Sequence, residues 1–143
     1  MSFVIKRSAE IELNMQGPFC LSGIDEVKDE LGQFGLYILF DSPPLKNDDI
    51  LSSDNIIYIG RAPYVGLFNR LSEHRKNIEN KDAHLSQRWR TLREKINYDA
   101  SNVWLITCPL EIPSYDIAYA EMYLLARHME KFGCLPLANS NDI

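Results

Sequence analysis

Two short apolar segments constrain the fold of this chain more than any other feature. Residues 35–40 (GLYILF) and 56–61 (IIYIGR) each carry one tyrosine and one glycine among branched and aromatic residues, which is typical of β-strands. Side chains alternate between the two faces of a strand, so Tyr58 is predicted to share a face with Ile56 and Gly60. If the two strands pair antiparallel, one face presents both phenol groups beside a glycine, where a ligand can approach the backbone. The alternative is a hydrophobic hairpin whose tyrosines only pack.

Length and composition limit the class of protein. The chain has 143 residues, of which 45% are hydrophobic, and this is enough for one domain with a core. No stretch has the length of a membrane span and the N-terminus does not resemble a signal peptide, so we expect a cytoplasmic protein with no membrane partner. The 3 cysteines, Cys20, Cys108 and Cys134, have no CxxC spacing and are predicted to be reduced thiols and not a zinc site.

The charge of the chain is unevenly distributed. The net charge is −5, with 15 Lys and Arg against 20 Asp and Glu, which argues against a generally basic nucleic-acid binder. Residues 61–95 nevertheless hold nine basic and four acidic residues, a net +5, so the rest of the chain carries −10. This segment indicates one face for a polyanion, and the alternative is an ordinary solvated helical surface.

Hydrophobic spacing predicts the other elements of the fold. They are a strand within 3–13, a helix over 18–31, a loop without elements over 41–55, helices over 65–78 and 83–96, a strand within 101–110, and a helix over 113–132. Ser114 is a possible N-cap of the last helix and Gly133 its possible stop. Trp89 is predicted to lie on the apolar face of its helix. Arg70 and His74 are four residues apart and therefore neighbours on one helix face.

Glu121 is the most informative single residue. It is the only charged residue in the stretch 117–126 (IAYAEMYLLA), which lies in the last predicted helix. Burying a carboxylate on such a face is costly unless a cation, a metal or several donors meet it. Three outcomes are open: the helix exposes that edge, Glu121 pairs with an arginine such as Arg70, or Glu121 holds a metal ion.

These residues together resemble the GIY-YIG nuclease family. In chain order they are Gly35-Leu36-Tyr37 on one strand, Tyr58-Ile59-Gly60 on a second, Arg70 and His74 on a helix, Glu121 on a later helix and Asn139 near the end. The resemblance covers about residues 34 to 141. Each tripeptide alone is a weak signal, whereas the ordered set is specific. The connection from Tyr37 to Tyr58 is longer than is usual in the family.

The resemblance implies the fold class and the domain division. It implies an α/β (α+β) fold in which a small three-stranded antiparallel sheet is flanked by helices. Residues 34–143 would form the nuclease domain, and residues 1–33 an N-terminal extension with a strand and a helix.

The resemblance also implies a metal-dependent DNA endonuclease that hydrolyses a phosphodiester bond. Glu121 would hold Mg²⁺, or Mn²⁺, through oxygen, as hard cations prefer. Arg70 would bind the phosphate through its fixed fork of donors. The family's functional positions would fall on Tyr37, Tyr58, Arg70, His74, Glu121 and Asn139.

The roles of the remaining site residues follow from their chemistry. Tyr37 would position or activate the attacking water, for which its pKa must fall, or His74 would take the proton. Tyr58 would hydrogen-bond the phosphate or the water. Asn139 would anchor Tyr37 or another group of the site. We expect the tyrosines, Arg70, His74 and Glu121 to converge on one cleft that the basic residues of 61–95 border.

The sequence is compatible with more than one DNA substrate and more than one source of substrate recognition. The DNA could be a specific duplex sequence or a branched or damaged structure. Because the chain has little room for a separate recognition domain, a partner protein or a dimer could supply recognition. The alternative to an enzyme is a catalytically inactive GIY-YIG-like module that serves in protein interaction or nucleic-acid binding.

Overall fold

The computed structural model of the chain describes residues 2–6, 10–44 and 50–139. The strands are β1 Ser2–Lys6, β2 Glu10–Asn14, β3 Gln16–Cys20, β4 Gly35–Phe40, β5 Ile56–Ala62 and β6 Trp104–Pro109. The α-helices are α1 Leu67–Glu79, α2 Gln87–Lys95 and α3 Ser114–Phe132. Shorter 3₁₀ segments cover Leu21–Glu30, Ile50–Ser52 and Ala100–Asn102. The described residues therefore form a small α+β fold.

The main sheet has four antiparallel strands in the order β3-β6-β4-β5, and β1 and β2 form a separate antiparallel hairpin. The prediction of a three-stranded sheet is wrong, because β3 adds a fourth strand. This strand belongs to residues 1–33, the predicted extension, and contains Pro18, which the sequence predicts as a helix start. β3 lies at the edge of the sheet, where a residue without an N–H is tolerated.

Two predicted elements differ from the structure in type. The helix predicted over 18–31 is not observed. The end of β3 and the 3₁₀ segment Leu21–Glu30 take its place, and the φ and ψ angles of this segment are not helical at Gly23 and Val27. Ile24 in this segment is wholly buried, so the apolar spacing located the buried side correctly. The strand predicted within residues 3 to 13 is replaced by the two strands of the hairpin.

Parts of these predictions lie outside the described residues. Residues 7–9, between β1 and β2, and 45–49, in the predicted loop, are not among them. In the described part of that loop, Ile50–Ser52 form a 3₁₀ turn, which the sequence does not predict.

The α-helices of the described residues correspond to the helices predicted over 65–78, 83–96 and 113–132. The second prediction is too long at its start, because α2 begins at Gln87. Pro113 and not Ser114 is the N-cap residue of α3. Gly133 ends α3 with a φ of +75°, the left-handed conformation that favours glycine at this position, as predicted.

Strand β4 forms the centre of the molecule. All of its residues are buried, because the sheet is covered on both faces. Leu36, Ile38 and Phe40 pack into a cluster with the hairpin and α3. Tyr37 and Leu39 point to the opposite cluster, which contains apolar residues of α1, α2 and the 3₁₀ segment. A strand covered on both faces is expected to be apolar throughout, and this explains the unbroken GLYILF run.

The pairing of β4 with β5 places both tyrosines on the α1 side of the sheet. Tyr37 is opposite Gly60 and Leu39 is opposite Tyr58. A register shift next to Leu39 moves Ile56 to the other side, so the prediction that Ile56 shares the face of Tyr58 is wrong. A Cβ atom at Gly60 would overlap the rings of both tyrosines. The space above this glycine is therefore filled by phenol rings and not by a ligand.

The cysteines are free thiols, and Cys108 is buried in the core whereas Cys134 is exposed. No helix among residues 2–6, 10–44 and 50–139 is both long and apolar enough to cross a membrane.

Replacing Gly60 by alanine should destabilise the fold. The new methyl group would force the Tyr37 and Tyr58 rings apart, and overpacking of this kind costs about 1–3 kcal/mol of the free energy of unfolding. Urea unfolding of Gly60→Ala measures this loss. Gly23→Ala is the matched control, because a Cβ atom at Gly23 meets nothing within 4 Å. Equal stability of the two variants would contradict the packing described here.

Candidate active site

A cleft of about 550 Å³ opens between β5, the start of α2 and the middle of α3. Its polar lining includes Tyr58, Arg61, Arg88, Glu121 and Asn139, together with Ser86 and Gln87. These residues come from distant parts of the sequence, and three of them were predicted as site residues. The fold therefore brings Tyr58, Glu121 and Asn139 together at one cleft.

Tyr37 and His74 form a pair behind the cleft. The Tyr37 side chain is 0% exposed and does not line the cleft. Its hydroxyl lies 2.7 Å from Nε2 of His74, which α1 presents to the sheet because Leu67 and Leu71 of the same helix are buried against it. Tyr37 and His74 therefore lie together, as the predicted convergence requires, but Tyr37 does not reach the cleft.

An aromatic cluster connects this pair to the cleft. The ring of Tyr58 lies 5.9 Å from that of Tyr37 and 5.6 Å from that of His74, measured between centroids. Trp89 of α2 stacks on His74 at 4.5 Å with an interplanar angle of 11°, and its ring lies 4.8 Å from that of Tyr58. The sequence predicted Trp89 only as an apolar helix residue. Its place beside the site depends on how α2 packs on α1, which no local pattern encodes.

Burial keeps both members of the inner pair neutral. Burial, and next the neighbouring Tyr58, raise the pKa of Tyr37 well above its usual value, although Arg70 acts in the opposite direction. This is the opposite of the shift that a catalytic phenolate needs. Burial and then the positive charge of Arg70 lower the pKa of His74 to about 4. At neutral pH, therefore, a neutral phenol meets a neutral imidazole.

Glu121 is partly buried and is paired with an arginine. Its Oε1 lies 3.2 Å from Nη1 of Arg61, and the side chains are 17% and 42% exposed. Of the three outcomes, the structure has an ion pair, but with Arg61 and not with Arg70, which contacts Glu73 at 3.4 Å. Burial raises the pKa of Glu121, and the nearby charges of Arg61 and Arg70 oppose this increase. Because Arg61 is half-exposed, the pair contributes little to stability.

Asn139 anchors a strand and not Tyr37. Its Oδ1 accepts a hydrogen bond from the N–H of Ile59 at 3.0 Å, and its Nδ2 donates to the carbonyl of Ile59 at 2.8 Å. The N–H of Ala138 donates to the carbonyl of Ile57 at 2.9 Å. Ala138 and Asn139 therefore cover the free edge of β5 at Ile57 and Ile59, the two residues that flank Tyr58 in the sequence. The predicted contact with Tyr37 is wrong, whereas anchoring of the strand that carries Tyr58 is observed.

Only part of the basic segment borders the cleft. Arg61 and Arg88 line it, and Arg70 affects the pKa values of Tyr58 and Glu121. Arg93, in contrast, is buried and its Nη1 donates to the backbone carbonyl of Asn80 at 2.9 Å, just after α1 ends.

Two further basic residues form ion pairs elsewhere. Arg75 contacts Asp25 at 3.1 Å and Lys95 contacts Asp41 at 2.8 Å. The prediction that the whole segment borders the cleft is therefore too broad.

Glu121 offers one carboxylate to a metal ion. The described part of the chain contains no group of three or more His, Cys, Asp or Glu side chains arranged to hold one. Mg²⁺ is commonly bound through one or two carboxylates, with water and substrate phosphate as its other ligands. Glu121 in an open cleft fits that mode of binding, and it does not fit a cage made of protein ligands alone.

Comparisons of the chain with models of protein families, with curated proteins and with solved structures found no match.

The stability of the protein should depend on the protonation of His74. Its pKa is about 4 in the fold against 6.5 in the unfolded chain, so the unfolded chain binds the proton first as the pH falls. Stability is then lost between pH 6.5 and pH 4, and by pH 5 this residue costs about 2 kcal/mol. Urea unfolding at pH 7 and pH 5 gives the change in unfolding free energy for the parent and for His74→Gln. The difference between the two changes is due to His74, because the other titrating groups contribute equally to both proteins.

The matched control is His84→Gln, because the His84 side chain is exposed. It should show the same pH dependence as the parent. If His74→Gln also retained the parental pH dependence, His74 would not be held neutral by burial.

Proposed function

We propose that the chain is a divalent-metal-dependent DNA endonuclease that hydrolyses a phosphodiester bond with a GIY-YIG-type site. The observation that best supports this is that Tyr58 and Glu121 line one cleft, with the hydrogen-bonded pair of Tyr37 and His74 directly behind Tyr58. These side chains come from β4, β5, α1 and α3. Arg70 is close enough to lower the pKa of Tyr58 and of Glu121.

The charges of the cleft suit a phosphodiester. Arg61 and Arg88 line the cleft, and Arg70 lines a pocket that shares Arg61 with it. A phosphate would therefore be met by guanidinium groups that stay charged at every working pH. A divalent cation bound by Glu121 would neutralise phosphate charge and lower the pKa of the attacking water. Because Arg61 is 42% exposed, its side chain can turn from Glu121 to the phosphate at little cost.

The two tyrosines would have different tasks. Tyr58 is partly exposed in the cleft, so its hydroxyl would orient the phosphate or the attacking water by a hydrogen bond. Tyr37 is wholly buried and its hydroxyl is engaged by Nε2 of His74. It would therefore act by holding His74, and with it the ring of Tyr58, in place. No ionised phenol is needed in this arrangement.

One set of observations favours the alternative, a catalytically inactive module that binds a protein or a nucleic acid. Tyr37 is inaccessible, and Glu121 already has a partner in Arg61. Packing would then account for Tyr37, and a structural ion pair for Glu121. The substitution of Glu121 separates the two functions.

Glu121→Gln should abolish cleavage and leave DNA binding unchanged or stronger. Glutamine keeps the shape but removes the charge that would hold the metal and repel the phosphate. Since burial raises the pKa of Glu121, its ionised form is a cost to the metal-free fold, and the thermal midpoint at pH 7 should stay the same or rise. Nicking of supercoiled plasmid with Mg²⁺ or Mn²⁺, DNA affinity and thermal midpoint are measured on the same preparations.

Glu130→Gln is the matched control, because Glu130 is an exposed glutamate of the same helix. It should nick plasmid at the parental rate. Parental cleavage by Glu121→Gln would rule out the metal role, and a folded parent that binds DNA without nicking it would favour the inactive module.

DNA affinity should fall steeply with salt, because binding to phosphate releases counterions. Arg70→Gln should reduce the slope of log K against log salt concentration by about 1. Arg75→Gln is the matched control: it lies on the same helix and is also paired with a surface carboxylate, but it does not line the cleft or the pocket beside it. A fluorescence titration at several salt concentrations gives both slopes, and equal slopes would place the DNA elsewhere.

A further inference from the structure

A strongly exposed tyrosine lies next to the proposed active site. Tyr64 is 78% exposed, more than any other large apolar side chain in the described part of the chain. It belongs to the short turn between β5 and α1, three residues after Arg61. Exposing an aromatic ring of this size forgoes the stabilisation that burial would give, so its surroundings are informative.

The exposed ring is held in a fixed position. The Tyr64 hydroxyl donates a hydrogen bond to Oγ of Ser114 at 3.0 Å, which ties the turn to the first residue of α3. A ring that is already held loses little conformational entropy when a ligand packs on it. Tyr64 is therefore arranged as a platform and not as a freely moving surface side chain.

A second pocket, of about 290 Å³, lies beside this platform. Its lining includes Tyr64 and Val65 together with two arginines, Arg61 and Arg70. Arg61 also lines the 550 Å³ cleft, so the two pockets share a wall. A ligand that enters the second pocket would reach the cleft past Arg61.

We propose that this pocket binds an unpaired nucleotide, with its base stacked on Tyr64 and its phosphate between Arg61 and Arg70. An aromatic platform beside cations is the arrangement that binds single strands, because every base has a face that can stack. In an intact duplex that face is covered by the neighbouring base pairs. The inference rests on the proposed nuclease function and specifies its substrate class: DNA with unpaired nucleotides next to the bond that is cut.

The charge of the pocket favours a nucleic acid over a protein partner. Two arginines form its wall, and among the described residues that line it none is acidic. A guanidinium fork matches a phosphate in two hydrogen bonds. Within the described part of the chain, Arg61 and Arg70 each meet a carboxylate through Nη1 only. A protein that docked on Tyr64 through an apolar surface would cover their other N–H groups without offering them an acceptor.

The experiment compares Tyr64→Ala with Tyr64→Phe in the full chain, in EDTA so that no cleavage occurs. The probes are a fluorescein-labelled oligothymidylate and a blunt-ended duplex. Loss of one base stack should weaken oligothymidylate binding by about 5- to 100-fold in Tyr64→Ala. Tyr64→Phe keeps the aromatic face and loses only the hydrogen bond to Ser114, so its affinity should lie between those of the parent and Tyr64→Ala. Duplex affinity should be the same in all three proteins.

Tyr123→Ala is the control for the loss of an exposed tyrosine, since Tyr123 is 38% exposed on α3 and lines neither pocket. It should bind like the parent. Equal oligothymidylate affinity of Tyr64→Ala and the parent, an equal loss for duplex, or no binding of either probe to the parent would overturn the inference.

Cleavage by the parent of supercoiled plasmid and of a duplex with an unpaired oligothymidylate flap, measured on the same preparation with Mg²⁺, separates this inference from the proposed function. Cleavage together with single-strand binding that is independent of Tyr64 would remove only the nucleotide pocket. Single-strand binding that depends on Tyr64, without cleavage of either substrate, would remove only the nuclease.

Discussion

The ring of Tyr37 lies over Gly60, the residue opposite it on the neighbouring strand, and its hydroxyl meets Nε2 of His74. This one placement connects β4, β5 and α1. It needs a glycine at position 60, since any Cβ atom there would overlap the ring. It also determines where Tyr58 lies, because the two phenols share the same face of the sheet. The position of Tyr58 in the cleft thus depends on a wholly buried neighbour.

Much of this arrangement is predictable because it is recorded in local patterns. β4 is a continuous apolar run, and α1 and α3 carry buried residues at three- and four-residue spacing. The stop of α3 at Gly133 follows from the ease with which glycine adopts positive φ. That Tyr37 and His74 lie close together was expected only from the family resemblance, which predicted that both converge on one cleft, and no spacing in the sequence requires it.

The parts that sequence reasoning missed depend on contacts between distant segments. β3 does not alternate apolar and polar residues. It becomes a strand by pairing with β6, which is distant from it in the sequence. Trp89 has the spacing of a core residue, and only the packing of α2 on α1 brings it onto His74. Glu121 pairs with Arg61 and not with Arg70 because of small differences in distance, and the spacing of residues along a helix does not predict such differences.

Gly35 and Gly60, the glycines of the two tripeptides, are each required by packing, so their presence alone is weak support for a function. A Cβ atom at Gly35 would overlap the carbonyl of Cys108, and one at Gly60 would overlap the tyrosine rings, so packing explains both. Packing also explains the burial of Tyr37. It does not explain Glu121, a carboxylate with a raised pKa on a helix whose neighbouring Leu124 is buried. A charge that costs the fold free energy is expected to be retained for its chemistry, so Glu121 supports a catalytic role more strongly than the two tripeptides do.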